Sequence, residues 1–182
     1  MLNIETFNKL FNSFAPSQQR EEWRGFLEFV GAYFSNRGIV KPIVVEIGIE
    51  KNRQKLFYEG ILNAEHIGID IHKDLNPDIA GDSHNAGTVM LLEERLKGRQ
   101  IDLLFIDASH LYESVKEDYR LYEPLTRHIV AFHDAMTVNK QNPSTVEVKR
   151  LWGEIMRDER RYLKVLFSFK PDWMGIGLII KG

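Results

Sequence analysis

Four short apolar runs punctuate the chain and each ends on an acid: IVVEIG at Glu46, HIGIDIH at Asp70, IDLLFIDASH at Asp107 and IVAFHDA at Asp134. Rich in Ile, Val and Leu and lacking period-2 alternation, they predict parallel strands buried on both faces. In open α/β sheets ligands sit beyond the C-terminal ends of such strands, so all four acids fall where a ligand would be. Helical periodicity occupies the first part of the chain. Ile4, Phe7, Leu10, Phe11 and Phe14 recur at helical spacing, Ala15-Pro16-Ser17 interrupts, and Trp23, Phe26, Leu27, Val30 and Phe34 resume. The spacing predicts two packing helices within residues 1–40.

After Gly38 and Pro42 the pattern alternates between strand and helix. It predicts a strand over 43–47, a helix over 53–63, a strand over 66–71, a loop through Asn76-Pro77-Asp78 and a short third strand ending at Ile79-Ala80. GDSHNAG then leads into a helix covering TVMLLEERLKG, with Gly98 as its stop. Strand four is IDLLFID. Helix four opens after Ser109 as N-cap, buries Leu111, Val115, Tyr119, Tyr122 and Leu125, and ends near Pro124. HIVAFHD is strand five, Met136 to Pro143 reads as a mobile polar loop, and a helix covers 145–158. YLKVLFSF and WMGIGLIIK close the chain, and the short Lys170-Pro171-Asp172 connection makes them an antiparallel hairpin. The expected fold class is α/β: a Rossmann-like, seven-stranded, mostly parallel sheet with an antiparallel C-terminal edge hairpin and helices on both faces. Residues 1–40 form a helical extension and 41–182 the main domain, in one globular unit overall.

Composition narrows the function. The 182 residues suit one domain that buries its core without metal or disulfide staples. A net charge of −2 and a pI near 6.3 argue against a nucleic-acid partner and for a small-molecule one. With no cysteine, thiolate catalysis and Cys-ligated metal sites are excluded, and a reducing, cytoplasmic location is the default. The N-terminus lacks the pattern of a signal peptide, and no apolar run is long enough to span a membrane.

The strand ends carry the candidate chemistry. Glu46-Ile47-Gly48 closes strand one, where glycine lets a ligand approach the backbone and the acid can accept from a cationic amino group; an ordinary β–α turn reads the same way. Asp70 follows Glu46 by 24 residues, a distance suited to an acid that accepts from a ribose hydroxyl pair, or to one that caps a helix. Asp107 and Asp134 end neighbouring strands and can converge on a hard cation such as Mg²⁺. His110, three residues past Asp107, is a candidate general base, with an unperturbed pKa near 6.5; His84 and His133 compete for the role.

These residues resemble class I S-adenosylmethionine-dependent methyltransferases. More narrowly, the chain is similar to the small-molecule O-methyltransferase group that includes the cephalosporin-hydroxylase-like and macrolide-sugar enzymes. The resemblance covers about residues 40–182 and is most specific in IDLLFIDASHLYESVKEDYRLYEPL followed by IVAFHDA, with VEVKRLWGEI and MGIGLIIK matching the late helix and last strand. It implies an enzyme that passes the methyl group of S-adenosylmethionine to a hydroxyl of a small molecule such as a sugar or natural product, and it leaves homo-oligomerisation open. It implies a cofactor site of Glu46, Gly48, Asp70, Ile71, Asp82, Ser83 and Asp107, with Gly81-Asp82-Ser83 on the adenine. Asp107 and His110 would be catalytic, and Asp107, His133 and Asp134 would bind a metal, with His133 where the family has an acid.

The glycine loop departs from the family's E-x-G-x-x-x-G-x-S/T. Asn52 replaces the second glycine and Gln54 the Ser or Thr, while Glu50 adds a charge. Asn tolerates a left-handed backbone, so the turn can survive. The rival reading is a catalytically silent methyltransferase-like domain that binds a ligand or a protein. A nicotinamide dehydrogenase, a P-loop NTPase and an α/β-hydrolase are disfavoured, because G-x-G-x-x-G, G-x-x-x-x-G-K-S/T and G-x-S-x-G are all missing.

Overall fold

The computed structural model describes residues 2–14, 16–138, 141, 146–159 and 162–181. Two helices, α1 (Ile4–Phe14) and α2 (Arg20–Asn36), precede β1 (Ile43–Ile47), α3 (Lys55–Leu62), β2 (Glu65–Asp70) and the short β3 (Ile79–Ala80). Then follow α4 (Ala86–Leu96), β4 (Ile101–Ile106), α5 (Tyr112–Tyr122), β5 (Thr126–Phe132), α6 (Val148–Arg157), β6 (Leu163–Phe167) and β7 (Ile176–Ile180). The strands form one sheet in the order β3-β2-β1-β4-β5-β7-β6. All neighbours up to β5 are parallel, and β7 is antiparallel to both β5 and β6. This is the Rossmann-like arrangement expected from the sequence.

Successive residues of each central strand feed opposite layers, which is why these strands are apolar throughout. Val45, Ile47, Leu104, Ile106, Val130 and Phe132 pack with residues of α4, α5 and α6. Val44, Leu103, Phe105, Ile129 and Ala131 pack with α1, α2 and α3, so the N-terminal helices cover one whole face of the sheet. Trp23, at 0 % exposure, is the hub of that layer, in edge contact with Phe57, Tyr58 and Phe105. No described helix is long and apolar enough to cross a membrane.

Several local expectations shift. In α1 only Phe7 is fully buried, while Ile4 and Phe14 are exposed. Strand five starts at Thr126 and stops at Phe132, leaving His133 and Asp134 in the turn beyond it. Leu111, not Ser109, is the N-cap of α5, and Leu111 is exposed because the apolar stripe begins one residue later at Tyr112. The late helix starts at Val148 rather than 145. Residues 139, 140 and 142–145 of the expected 136–143 loop and helix start lie outside the described residues. Next to them, the Ala135, Met136 and Val138 amides donate to the Gly175, Met174 and Asp172 carbonyls, extending the β5–β7 pairing past the strand ends.

Candidate active site

Strand order reverses between β1 and β4, and there the C-terminal strand ends part to form a crevice of about 580 Å³. Its walls include the apolar Ile47, Ile69, Ile71 and Leu75 and five acids, Glu50, Asp70, Asp82, Asp107 and Asp118. No Lys or Arg lines it among the described residues.

Asp70 sits centrally and fastens both adjoining loops. Its Oδ2 accepts from the Ile49 amide at 3.0 Å and its Oδ1 from the His72 amide at 2.8 Å. Each oxygen keeps a lone pair for a ligand hydroxyl. Gly48 has φ +82°, and a Cβ there would lie 2.4 Å from the Asp107 carbonyl and 2.5 Å from Ala108 Cα. The close approach of the chain's own β4 loop therefore requires the glycine, which also lines the crevice. Asn52 takes the left-handed conformation foreseen for it (φ 54°), and Glu50 shares it (φ 46°).

Glu46 is not where the resemblance puts it. Alternation along β1 sends its side chain to the helical layer on the α3 side, at 0 % exposure, with Oε2 2.9 Å from His66 Nε2 and the imidazole stacked on Tyr58. Burial raises its pKa, and the hydrogen bond from His66 opposes that only in part. Oε2 is engaged by His66, Oε1 has no hydrogen-bond partner among the described residues, and Glu46 is not among the residues that line the crevice.

At the other end Asp82 is exposed, and its Oδ1 accepts from the His84 amide at 2.9 Å. The Ser83 carbonyl accepts from the Tyr122 hydroxyl, and Ile71 is an exposed apolar wall. Asp118, which the sequence reading passed over, is fully buried against this end of the crevice, 3.2 Å from His84 Nε2, and burial raises its pKa. Its signal was available: spaced three and four residues from Val115 and Tyr122, it is an acid on the apolar stripe of α5.

Beyond Asp107 the crevice meets a cluster of two carboxylates and two imidazoles. Asp107 Oδ1 lies 2.9 Å from His133 Nδ1 and 3.7 Å from His110 Nε2, while Oδ2 accepts from Gln18 Nε2 at 2.9 Å. Asp134 Oδ2 lies 3.3 Å from His110 Nε2 and 3.6 Å from His133 Nδ1, and its Oδ1 accepts from the Thr137 hydroxyl. Burial works against charge on His133, but Asp107 and Asp134 beside it push its pKa up to about 9. Burial likewise opposes charge on Asp107, yet His133 and His110 hold it below the usual carboxylate range. The hydrogen bond to Asp107 raises His110, the more exposed imidazole of the two. Of the competing histidines, His133 is thus buried and cationic near neutrality and His84 stands at the far end by Asp118, leaving His110 facing both acids.

Asp107, His110 and His133 each offer a donor atom within 4.8 Å of the others, a mixed nitrogen and oxygen set that can hold a divalent cation. Such a set suits a cation that accepts imidazole as well as carboxylate better than it suits Mg²⁺ alone. Gln18 was not foreseen, since nothing in a loop between two packing helices marks a contact with a strand end.

Comparison with known proteins agrees with this fold. Residues 66–135 match the family described as a methyltransferase domain. No curated protein matches the chain. Among solved structures, a Staphylococcus aureus protein assigned as a caffeoyl-CoA O-methyltransferase superposes with a TM-score of 0.67 at 15% identity, over 99% of this chain and 92% of that one. A Bacillus cereus O-methyltransferase in complex with S-adenosylhomocysteine gives 0.62 at 14%, over 97% and 91%. MycE, from the mycinamycin biosynthetic pathway, holding Mg, S-adenosylhomocysteine and mycinamycin VI, gives 0.62 at 15%, over 97% and 54%; the chain spans about half the length of MycE. The fold is that of class I methyltransferases.

Proposed function

We propose that the protein is an S-adenosylmethionine-dependent O-methyltransferase acting on a hydroxyl of a small molecule. The observation that carries this reading is that one residue, Asp107, belongs both to the ligand crevice and to the cluster that holds a general base. The crevice also fits the cofactor by charge. Among the described residues, five acids and no Lys or Arg suit a ligand of net positive charge, in which a sulfonium and an ammonium outweigh one carboxylate, and oppose phosphate-rich nucleotides or a nucleic-acid strand. Asp70 would accept from the ribose hydroxyls, the Ile69, Ile71 and Leu75 walls would flank the base, and Asp82 and Asp118 offer acceptors at that end.

Bound S-adenosylmethionine supplies an electrophilic methyl group on sulfur. His110 removes the acceptor's proton, with Asp107 and Asp134 orienting its ring and stabilising the imidazolium that forms. His133, already cationic, stays paired with Asp107 and keeps a positive charge beside the oxyanion. Asp107, Asp134 and His133, the last only once it gives up its proton, with His110 in reach, would hold a Mg²⁺ or Mn²⁺ ion in place of that imidazolium charge, and the ion's contribution would be to acidify the hydroxyl. Calorimetric titration with S-adenosylmethionine and S-adenosylhomocysteine tests the reading; micromolar binding of either is expected. No binding at millimolar ligand would refute it in favour of a silent domain.

A further inference from the structure

Gln54 stands at the N-cap of α3, where a Ser, Thr, Asp or Asn side chain would ordinarily accept from a first-turn amide. It makes no such bond. The side chain is instead fully buried, and its Nε2 donates to Gln18 Oε1 at 3.4 Å. Gln18, 4 % exposed, in turn donates from Nε2 to Asp107 Oδ2 at 2.9 Å. The connector carrying Gln18 is tied down a second time, one residue earlier, where the Ser17 hydroxyl donates to Glu50 Oε2 at 2.8 Å. Three segments that are far apart in sequence, the α1–α2 connector, the β1–α3 loop and the end of β4, thus meet where two buried amides run to the Asp107 carboxylate.

The middle of that chain must accept and donate at once, and the Gln18 amide does both without carrying charge. Resting on the methyltransferase reading, we propose that Gln18, braced by Gln54, is a positioning residue for Asp107. It satisfies Oδ2 with a neutral donor, fixes the plane of the carboxylate and turns Oδ1 toward His133 and His110, the atoms among which a cation would be held. The departure of the glycine loop from E-x-G-x-x-x-G-x-S/T is then a replacement with a purpose. Where that pattern has a short Ser or Thr, this chain has a long side chain that reaches Gln18 and through it Asp107. Groups that orient a ligating carboxylate act through it, and their loss weakens metal affinity or activity about 10- to 100-fold.

The test is titration of the intact protein with Mn²⁺, followed by electron paramagnetic resonance, alongside calorimetry with S-adenosylhomocysteine. Gln18→Met keeps the shape and removes both hydrogen bonds. It should weaken Mn²⁺ binding by about 10- to 100-fold, more than it weakens S-adenosylhomocysteine binding, and lower the melting temperature modestly because the Gln54 amide and Asp107 Oδ2 lose a buried partner. Gln54→Met should give a smaller loss, and none beyond that of Gln18→Met in the double variant, because one acts through the other. Unchanged Mn²⁺ affinity in Gln18→Met, or additive losses in the double variant, would overturn the proposal. Should Gln18→Met not fold, Gln54→Met decides alone, an unchanged affinity overturning the idea. A wild type that binds S-adenosylhomocysteine but not Mn²⁺ overturns the proposal and leaves the methyltransferase reading standing. A wild type that binds neither overturns both.

Discussion

Asp70 joins scaffold to recognition, so replacing it separates the two. Its carboxylate accepts two backbone amides, from Ile49 and His72, and faces the crevice with one lone pair left on each oxygen. Asp70→Asn keeps a single acceptor oxygen and removes the charge. One loop anchor is lost, and any ligand hydroxyl that donated to the carboxylate now meets an amide. Hydrogen bonds to a charged group contribute about 1.5–3 kcal/mol, so S-adenosylhomocysteine should bind roughly 10- to 150-fold more weakly. Loop loosening would weaken every ligand alike, whereas lost hydroxyl recognition would not. Calorimetry should therefore compare S-adenosylhomocysteine with its 2′-deoxy analogue. Wild type is expected to discriminate against the deoxy ligand, and Asp70→Asn to bind both about equally. If the mutant retains the full preference for ribose, Asp70 serves only to tie the loops together and the reasoning fails.

His110→Ala should lower kcat by about 10²–10⁴-fold without altering cofactor affinity, and should abolish a rate that in wild type rises with pH through a midpoint above the ordinary histidine value, since Asp107 favours the protonated ring; an unchanged pH–rate profile would move the base elsewhere. A chelator should depress turnover, Mn²⁺ or Mg²⁺ should restore it, and Asp134→Asn should lose that response; full activity in chelator would leave the acids as orienting groups only. Gly48→Ala places a Cβ against the Asp107 carbonyl and Ala108 in a left-handed conformation, and should cost about 2–5 kcal/mol by denaturant unfolding, so a wild-type midpoint would contradict the packing described. Asp118 has its folded pKa raised by burial, so its ionised form costs stability above that value and the cost vanishes as pH falls through it. Asp118→Asn should accordingly melt above wild type near neutral pH, the gap closing in acid; a lower melting temperature throughout would show the carboxylate to be a stabilising acceptor.

What the sequence made legible follows from where its signals are local. Strand runs and their terminal acids announce themselves, because a strand buried on both faces has no polar position to spare until it leaves the sheet. Asp70, Asp107 and Asp134 were placed that way. Glu46 was misplaced by the same rule: it is the last polar position before Gly48 but still inside β1, where alternation aims it into the helical layer beside His66. Gln18 was invisible because its partner is 89 residues away and a loop glutamine carries no periodicity. Asp118 leaves the periodicity of α5 intact, because a single acid among Val115, Tyr119 and Tyr122 does not change the apolar stripe that marks the helix. Gln54 was seen, but as a defect, since its partner belongs to another segment.

The sign of the crevice decides between ligands that this scaffold could otherwise share. A dinucleotide needs a glycine-lined turn from which backbone amides and a helix N-terminus face a pyrophosphate. Here the first loop after β1 instead presents Glu50 at the crevice and gives the Ile49 amide to Asp70, so two of the features that would receive an anion are a carboxylate and an amide already engaged. The loop after β3 brings Asp82, helix α5 brings Asp118, and the β4 end brings Asp107. An anion entering this space would meet like charge along its length. A sulfonium bearing an ammonium meets acceptors, and once its methyl has been given away it becomes a neutral thioether that the same acids hold less well. On the function proposed above, the lining that favours binding of the donor would also favour departure of the spent cofactor.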